Sequence, residues 1–139
     1  MDVIALIARI LFASLFLASG LGHLVTTEPL AGYAAVKKLP QPRLAVQASG
    51  VYLIIASLML MFGIWPDLGA LALVPFLLLS ACLFHGFWQE SDPQIRMQEQ
   101  TQFLKDIALA GGALGFFVLY GSVTNPGLNL VGPLFNMGG

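Results

Sequence analysis

Four long apolar runs constrain this chain more than any other feature of its sequence. They cover residues 3–25, 44–64, 68–88 and 102–120, and each has the roughly 20 residues that a helix needs to cross a bilayer core about 30 Å thick. Backbone groups in lipid must be satisfied internally, so spans are helices or closed barrels, and barrel strands alternate apolar and polar residues. These runs do not alternate. The sequence therefore predicts an all-α membrane protein with a four-helix transmembrane bundle.

Composition supports lipid as the main solvent. Only 9% of the 139 residues are charged and 58% are hydrophobic, whereas a soluble domain carries about 25% charged residues. A net charge of −1 without a basic stripe excludes a nucleic-acid partner. We expect one membrane domain over 1–139, with a short irregular tail after Tyr120 that lies at the membrane interface.

The positions of the basic residues predict the topology. Four spans place both termini and the "WPD" turn at 65–67 on one side, and the connections 26–43 and 89–101 on the other. The first side has Arg9, whereas the second carries five basic residues: Lys37, Lys38, Arg43, Arg96 and Lys105. Because lysine and arginine favour the cytoplasmic side, we expect outward termini in a bacterial inner membrane.

Several polar residues fall at one depth near the predicted cytoplasmic ends of the spans. By span parity these are His23, His85, Gln102, Lys105 and Asp106. Ionisable groups within a membrane are functional candidates by default. Two interpretations are open: a shared polar pocket where three helix ends meet, or separate interfacial anchors satisfied by backbone, headgroups or water.

The stretch "CLFHGFW" at 82–88 gives the pocket hypothesis its sharpest form. We predict that His85 faces the bundle interior and shares the pocket with His23 and the start of the fourth helix, at Gln102 or Lys105. Phe84, Phe87 and Trp88 would shield the pocket from lipid. In the competing interpretation, His85 caps the carbonyls at the end of its own helix.

Arg9 lies about two turns into the first span, at a depth without a membrane carboxylate. Its predicted partners are carbonyls or hydroxyls near Tyr120, Ser122 and Thr124, and the alternative is that it reaches the outer headgroups. Small residues that would allow close helix packing occur on the fourth span at Ala108, Gly111, Gly112 and Gly115, and on the first at Ser14, Ala18 and Gly22.

Familiar catalytic patterns are missing from the sequence. It has no nucleophile elbow, phosphate-binding glycine loop, paired CxxC or HExxH motif. Cys82 and His85 stand three residues apart, which is a weak signal for a metal. We therefore predict no metal and no tightly bound cofactor, and the sequence leaves open whether the protein is an enzyme.

Four stretches in order resemble the DoxX family: "RILFASLFLASGLGHL" (9–24), "GYAAVKKLPQP" (32–42), "FHGFW" (84–88) and "QFLKDIALAGG" (102–112). The resemblance implies a small four-helix membrane protein associated with quinone-linked redox systems. The positions that match the family pattern are Arg9, Gly20, His85, Phe103 and Lys105. Two positions depart from it, because family members often have lysine in place of His23 and asparagine in place of Asp106.

The resemblance implies an accessory subunit of a quinone-linked oxidoreductase, packed beside a larger partner. His85 could then bind a quinone carbonyl and pass a proton, since a neutral imidazole both donates and accepts. The alternative is a non-catalytic structural or assembly protein that packs with a larger partner or with itself. A small-solute carrier is disfavoured, because no line of polar residues crosses the membrane centre.

Overall fold

Helices form nearly all of the regular structure in a computed structural model that describes residues 2–122, 127–135 and 137. The five α-helices are α1 (Asp2–Val25), α2 (Thr27–Val36), α3 (Pro42–Phe62), α4 (Pro66–Phe84) and α5 (Pro93–Ser122), and a short 3₁₀ helix covers Phe87–Gln89. Four of the α-helices, all except α2, are long and apolar enough to cross a membrane. The predicted four-helix transmembrane bundle is confirmed.

Prolines begin three of the long helices, and this moves the predicted boundaries. α3 and α4 start at Pro42 and Pro66, two residues earlier than expected, because proline suits the first helical position. α5 starts at Pro93 rather than at 102. The carboxylate of Asp92 accepts hydrogen bonds from the backbone N–H groups of Gln94 and Ile95 at 2.8 and 3.2 Å, which caps this helix. Most of the predicted 89–101 connection is therefore helical.

α2 lies in a segment that the sequence predicted as a connection. Pro29 is its third residue, within the first turn, where the missing N–H removes no intrahelical hydrogen bond. Ala31 and Ala34 bury one face of α2 against Val46 of α3. Phe84, at the end of α4, packs beside them. α2 thus covers the end of the bundle where α1 and α4 finish, which we call the cavity end.

The bundle is assembled from two helix pairs, α1 with α3 and α4 with α5, joined by the contact between α3 and α4. Gly20 of α1 meets Gly50 of α3. A Cβ built on Gly20 would lie 2.8 Å from the Gly50 carbonyl oxygen, and one on Gly50 would lie 2.9 Å from that of Gly20. Only glycine fits at this crossing. The main core cluster consists of four leucines, five alanines, Phe16 and Tyr120, and the leucines are Leu53, Leu60, Leu73 and Leu77.

Of the small residues predicted for helix packing, Gly112 meets a neighbouring helix, because a Cβ built on it would lie 3.1 Å from the ring of Phe12. The others are not used inside the bundle. Apart from the chain neighbours and the backbone of the same helix, no described atom lies within 4 Å of a Cβ built on Gly22, Gly111 or Gly115. Ser14 and Ala18 are also exposed. The spacing of these residues was read correctly, but the faces that carry them point outward.

The irregular tail crosses the turn between α3 and α4 at the other end of the bundle, which we call the terminal end. The backbone N–H of Val131 donates to the Gly63 carbonyl at 3.0 Å. Asp67 is fully buried, and its two carboxylate oxygens accept the N–H groups of Leu134 and Phe135 at 2.9 and 2.6 Å. Asp67 therefore fixes the tail to the start of α4.

Arg9 also holds this tail. Its guanidinium donates to the side-chain oxygen of Asn129 and to the Leu128 carbonyl, and its Cζ lies 5.9 Å from the centre of the Tyr120 ring. Arg9 is only 3% exposed, so the expectation that it reaches the headgroups is wrong. The predicted carbonyl partner exists but belongs to the tail rather than to α5, while Thr124 lies outside the described residues.

Candidate functional site

A cavity of about 330 Å³ lies at the cavity end of the bundle. All five helices contribute to its walls. Most of the lining is apolar. Its ionisable side chains are His23, Tyr33, His85, Lys105 and Asp106, and its serines are Ser19, Ser49 and Ser80.

His85 follows directly after α4 and lies between two carboxylates of α5. Its Nδ1 is 2.7 Å from Oε2 of Glu99, and its Nε2 is 4.0 Å from Oδ2 of Asp106. Glu99 and Asp106 are seven residues apart, which is about two helical turns, so they lie on the same face of α5. The backbone N–H of His85 bonds to Ala81, but its ring does not cap α4. The competing interpretation of His85 as a cap is wrong.

His23 presents a hydrogen-bond acceptor to the cavity. Its Nδ1 is 2.7 Å from Oγ of Ser49, and that hydroxyl already donates its one hydrogen to the Val46 carbonyl at 2.8 Å. In the tautomer that carries the imidazole proton on Nδ1, His23 donates to Ser49. Nε2 is left with its lone pair. His23 and His85 line one cavity, but their direct partners are on different helices.

Asp106 is the most deeply buried acid of this site, with 4% of its surface exposed. Its Oδ1 lies 3.5 Å from Nζ of Lys105, which also donates to the side-chain oxygen of Gln102. Adjacent residues point about 100° apart on a helix, and we expected only one of the two to face the bundle. Asp106 does so directly, whereas the long Lys105 side chain reaches back to it.

His85 also lines a second, more open cavity of about 610 Å³, which we call the cleft. Its lining residues are Tyr33, His85, Met97, Gln98, Glu99, Thr101 and Gln102. Tyr33 and His85 line both the cavity and the cleft. Gln102, which we expected in the pocket, faces the cleft instead.

Tyr33 of α2 lies at the boundary between the cavity and the cleft. Its hydroxyl donates to the Phe84 carbonyl at 3.0 Å, and its ring stacks on that of Phe84 at 5.9 Å. Burial raises the pKa of the Tyr33 hydroxyl, and the negative charges of Glu99 and Glu90 raise it further. The neutral hydroxyl is thus favoured where the end of α4 meets α2.

Trp88 lies outside the cavity and is 52% exposed. Its ring contacts the edges of Phe87 and Phe103, with ring centres 5.3 and 5.7 Å away. Of the three aromatic residues predicted to shield the pocket, Phe84 is the one that lines it. The aromatic cluster around Trp88 packs beside the first turns of α5 instead.

Sequence reasoning missed Glu99, the direct partner of His85. The segment before residue 102 was read as a polar connection, so the helical spacing between Glu99 and Asp106 was not considered. The pair Asp92-Pro93 is a helix-start signal, an N-cap followed by proline at the first position, and would have extended α5 to include Glu99. Among residues 2–122, 127–135 and 137, no three His, Cys, Asp or Glu side chains are grouped to hold a metal ion.

Fold and site together define a small integral membrane protein of four spanning helices. A mostly apolar cavity with several polar side chains lies at one end of the bundle. A profile of the DoxX family matches residues 4–86, more than half of the chain. The chain belongs to the DoxX family. No curated protein and no solved structure gave a significant match. The family match covers α1 to α4 and ends one residue after His85, so the correspondences of Phe103 and Lys105 on α5 stay predictions.

Proposed function

We propose that this DoxX protein is an accessory subunit of a quinone-linked membrane oxidoreductase and binds a quinone headgroup in the cavity. The observation that carries the proposal is the cavity itself, whose mostly apolar walls also carry several polar side chains. Its volume of about 330 Å³ falls at the lower end of the range for small-molecule sites, about 300–1,000 Å³. Such a space suits a flat ring with a few polar atoms.

The polar groups of the cavity suit both redox forms of a quinone. A quinone carbonyl accepts hydrogen bonds, and the ammonium group of Lys105 is a donor at the cavity wall. A quinol hydroxyl donates, and Nε2 of His23 is an acceptor. In the proposed complex, electrons pass to or from a redox group of the partner subunit.

The distribution of charge supports a cytoplasmic position for the cavity end. Lys37, Lys38 and Arg43 flank the start of α3, and Arg96 and Lys105 lie in the first turns of α5. Arg9 lies at the terminal end. We therefore propose outward termini in a bacterial inner membrane, with the quinone site near the cytoplasmic surface.

Binding of a short-chain ubiquinone analogue to the purified protein in lipid nanodiscs tests the proposal. Ser80→Phe should fill part of the cavity and abolish binding, whereas Ser80→Ala should bind like the wild type. Lys105→Met should weaken binding about tenfold, the effect of losing one hydrogen bond to a quinone carbonyl. Equal affinity of the wild type and Ser80→Phe, measured by equilibrium dialysis, would contradict a quinone site in this cavity.

A second candidate function, a structural or assembly role, is favoured by one observation. Ala108, Gly111 and Gly115 of α5 are exposed, and the space over the two glycines is open. Small residues allow a second helix to approach closely in lipid. Gly111→Ile with Gly115→Ile should then abolish association with a partner or a second copy while quinone binding is retained. Retained association would contradict this role for the face.

A further inference from the structure

Three side chains connect the cleft with the cavity. Glu99 lines the cleft, Asp106 lines the cavity, and His85 lines both. The side chains of Glu99 and His85 are similarly exposed, at 20% and 21%, whereas that of Asp106 is only 6% exposed. We infer that Glu99, His85 and Asp106 form a proton path between water in the cleft and a ligand in the cavity. This inference rests on the proposed quinone site.

The hydrogen-bond geometry gives the path a starting state. An ionised Glu99 can only accept, so Nδ1 of His85 donates to it across 2.7 Å. The lone pair of Nε2 then faces Asp106. The separation of 4.0 Å between Nε2 and Oδ2 exceeds a hydrogen bond, so proton transfer requires the two groups to approach by about 1 Å.

Proton release from a ligand hydroxyl to water then balances in four transfers. The hydroxyl gives its proton to the Asp106 carboxylate, and the ligand oxygen keeps the electron pair. Asp106 passes the proton to Nε2 of His85, which becomes an imidazolium. The imidazolium releases the proton on Nδ1 to Glu99, and Glu99 releases it to water in the cleft. Exchange of the ring proton with water, which removes one proton from Nε2 and adds one to Nδ1, restores the starting tautomer, and proton uptake follows the same steps in reverse.

A positive charge lies beside the inner end of the path. The ammonium group of Lys105 lies 3.5 Å from Asp106 and balances its negative charge in the buried position. His23 is tied to Ser49 and reaches the cavity but not the cleft. Titratable groups of three helices surround His85: Tyr33 of α2, His23 of α1, and Glu99, Lys105 and Asp106 of α5. Lys37 and Glu90 lie next to Tyr33.

The experiment uses 2-hydroxy-1,4-naphthoquinone, a coloured and weakly acidic quinone whose absorbance reports its ionisation. The full chain in nanodiscs is loaded with this probe, and a stopped-flow jump to higher pH starts loss of its proton. We expect Glu99→Gln, which keeps the shape of the side chain, to bind the same amount of probe and to slow its deprotonation about 100-fold, the lower range for a positioned acid–base group. Glu90→Gln is the matched control and should leave the rate unchanged.

The outcomes separate the path from the binding site. Equal deprotonation rates in the wild type and Glu99→Gln, with the probe bound in both, would overturn the path and leave the quinone site standing. Failure of the wild type to bind the probe would overturn the site and the path together. Asp106→Asn provides a second variant, since it interrupts the path at its inner end. It should also slow deprotonation, and a wild-type rate in that variant would overturn the path.

Discussion

Arg9 and Asn129 are hydrogen-bonded to each other although 120 positions separate them in the chain. The contact joins the first helix to the irregular tail. A buried guanidinium in a membrane protein requires compensating partners, and here amide and carbonyl oxygens of the tail supply them. The tail is therefore part of the folded bundle rather than an appendage of α5.

Replacing Arg9 should release the tail. Arg9→Met keeps an apolar side chain of moderate length but removes the hydrogen bonds to Asn129 and to the Leu128 carbonyl. We expect a loss of about 3 kcal/mol in the free energy of unfolding, because hydrogen bonds to charged groups contribute about 1.5–3 kcal/mol each. Unfolding in mixed detergent micelles measures this loss, and limited proteolysis detects the released tail.

Arg43→Met is the matched control for Arg9→Met. Arg43 pairs with Glu28 at 3.1 Å, but about 70% of each of these side chains is exposed. Exposed ion pairs contribute about 0–1 kcal/mol, so this variant should stay close to the wild type. Similar losses in the two arginine variants would show that the tail contacts of Arg9 contribute no more to the free energy of unfolding than an exposed ion pair does.

Asp67 and Asp92 should respond differently to the same isosteric change. At Asp92 a single oxygen, Oδ1, accepts both backbone N–H groups, and asparagine retains that oxygen. At Asp67 the two N–H groups use different oxygens, so an amide NH₂ would face a backbone donor. We expect Asp67→Asn to cost about 1–3 kcal/mol and Asp92→Asn to be nearly neutral in thermal unfolding. The reverse order would contradict the tail contacts of Asp67.

Gly20→Ala should separate α1 from α3. The added methyl group would meet the Gly50 carbonyl oxygen at 2.8 Å, and overpacking of this kind costs about 1–3 kcal/mol. Gly22→Ala lies two residues away in open space and should raise stability by up to about 1 kcal/mol through helix propensity. Unfolding titrations in mixed micelles compare the two variants. A loss of stability in Gly22→Ala as large as in Gly20→Ala would argue against the glycine crossing.

The four spans could be predicted because hydropathy and length alone identify a membrane helix. α2 could not be predicted in the same way. Its segment is short, and Glu28-Pro29 resembles a chain break, whereas a proline in the first turn is compatible with a helix. The docking of the tail could not be predicted either, because it depends on contacts of Asp67 and Arg9 with backbone groups that are more than 60 residues away in sequence.

The sequence predicted the membrane depth of the site residues but not which side chains contact one another. Span parity placed His23, His85 and Asp106 at one end of the bundle, and the structure brings them to one cavity. Span parity did not reveal that His23 pairs with Ser49 or that His85 pairs with Glu99. Those pairs depend on the rotation of each helix about its axis, and packing at crossings such as that of Gly20 with Gly50 sets this rotation.

The proposed topology predicts the accessibility of two exposed positions. Lys38→Cys reports the cavity end and Gly132→Cys the terminal end, both in a Cys82→Ser background because Cys82 is itself exposed. With outward termini, an impermeant thiol reagent applied to intact cells should label Gly132→Cys and leave Lys38→Cys unlabelled until the cells are opened. The opposite pattern would invert the topology and place the cavity near the outer surface.

Tyr33 gives the site a pH dependence whose sign follows from its surroundings. Burial, and then the charges of Glu99 and Glu90, raise its pKa in the folded protein above the unfolded value of about 10. A raised pKa means that its contribution to stability is complete below the unfolded pKa and is lost as the pH rises through the folded value.

The wild type should therefore lose stability more steeply than Tyr33→Phe as the pH rises above about 10. The phenylalanine variant lacks the hydroxyl that bonds to the Phe84 carbonyl, and it has no proton to lose. Glu99→Gln removes one of the charges that raise the pKa, so its Tyr33 should ionise at lower pH. Ultraviolet difference absorbance against Tyr33→Phe measures that ionisation. An unchanged titration in Glu99→Gln would mean that the charge of Glu99 does not act on Tyr33, and would weaken the placement of both residues at one cleft.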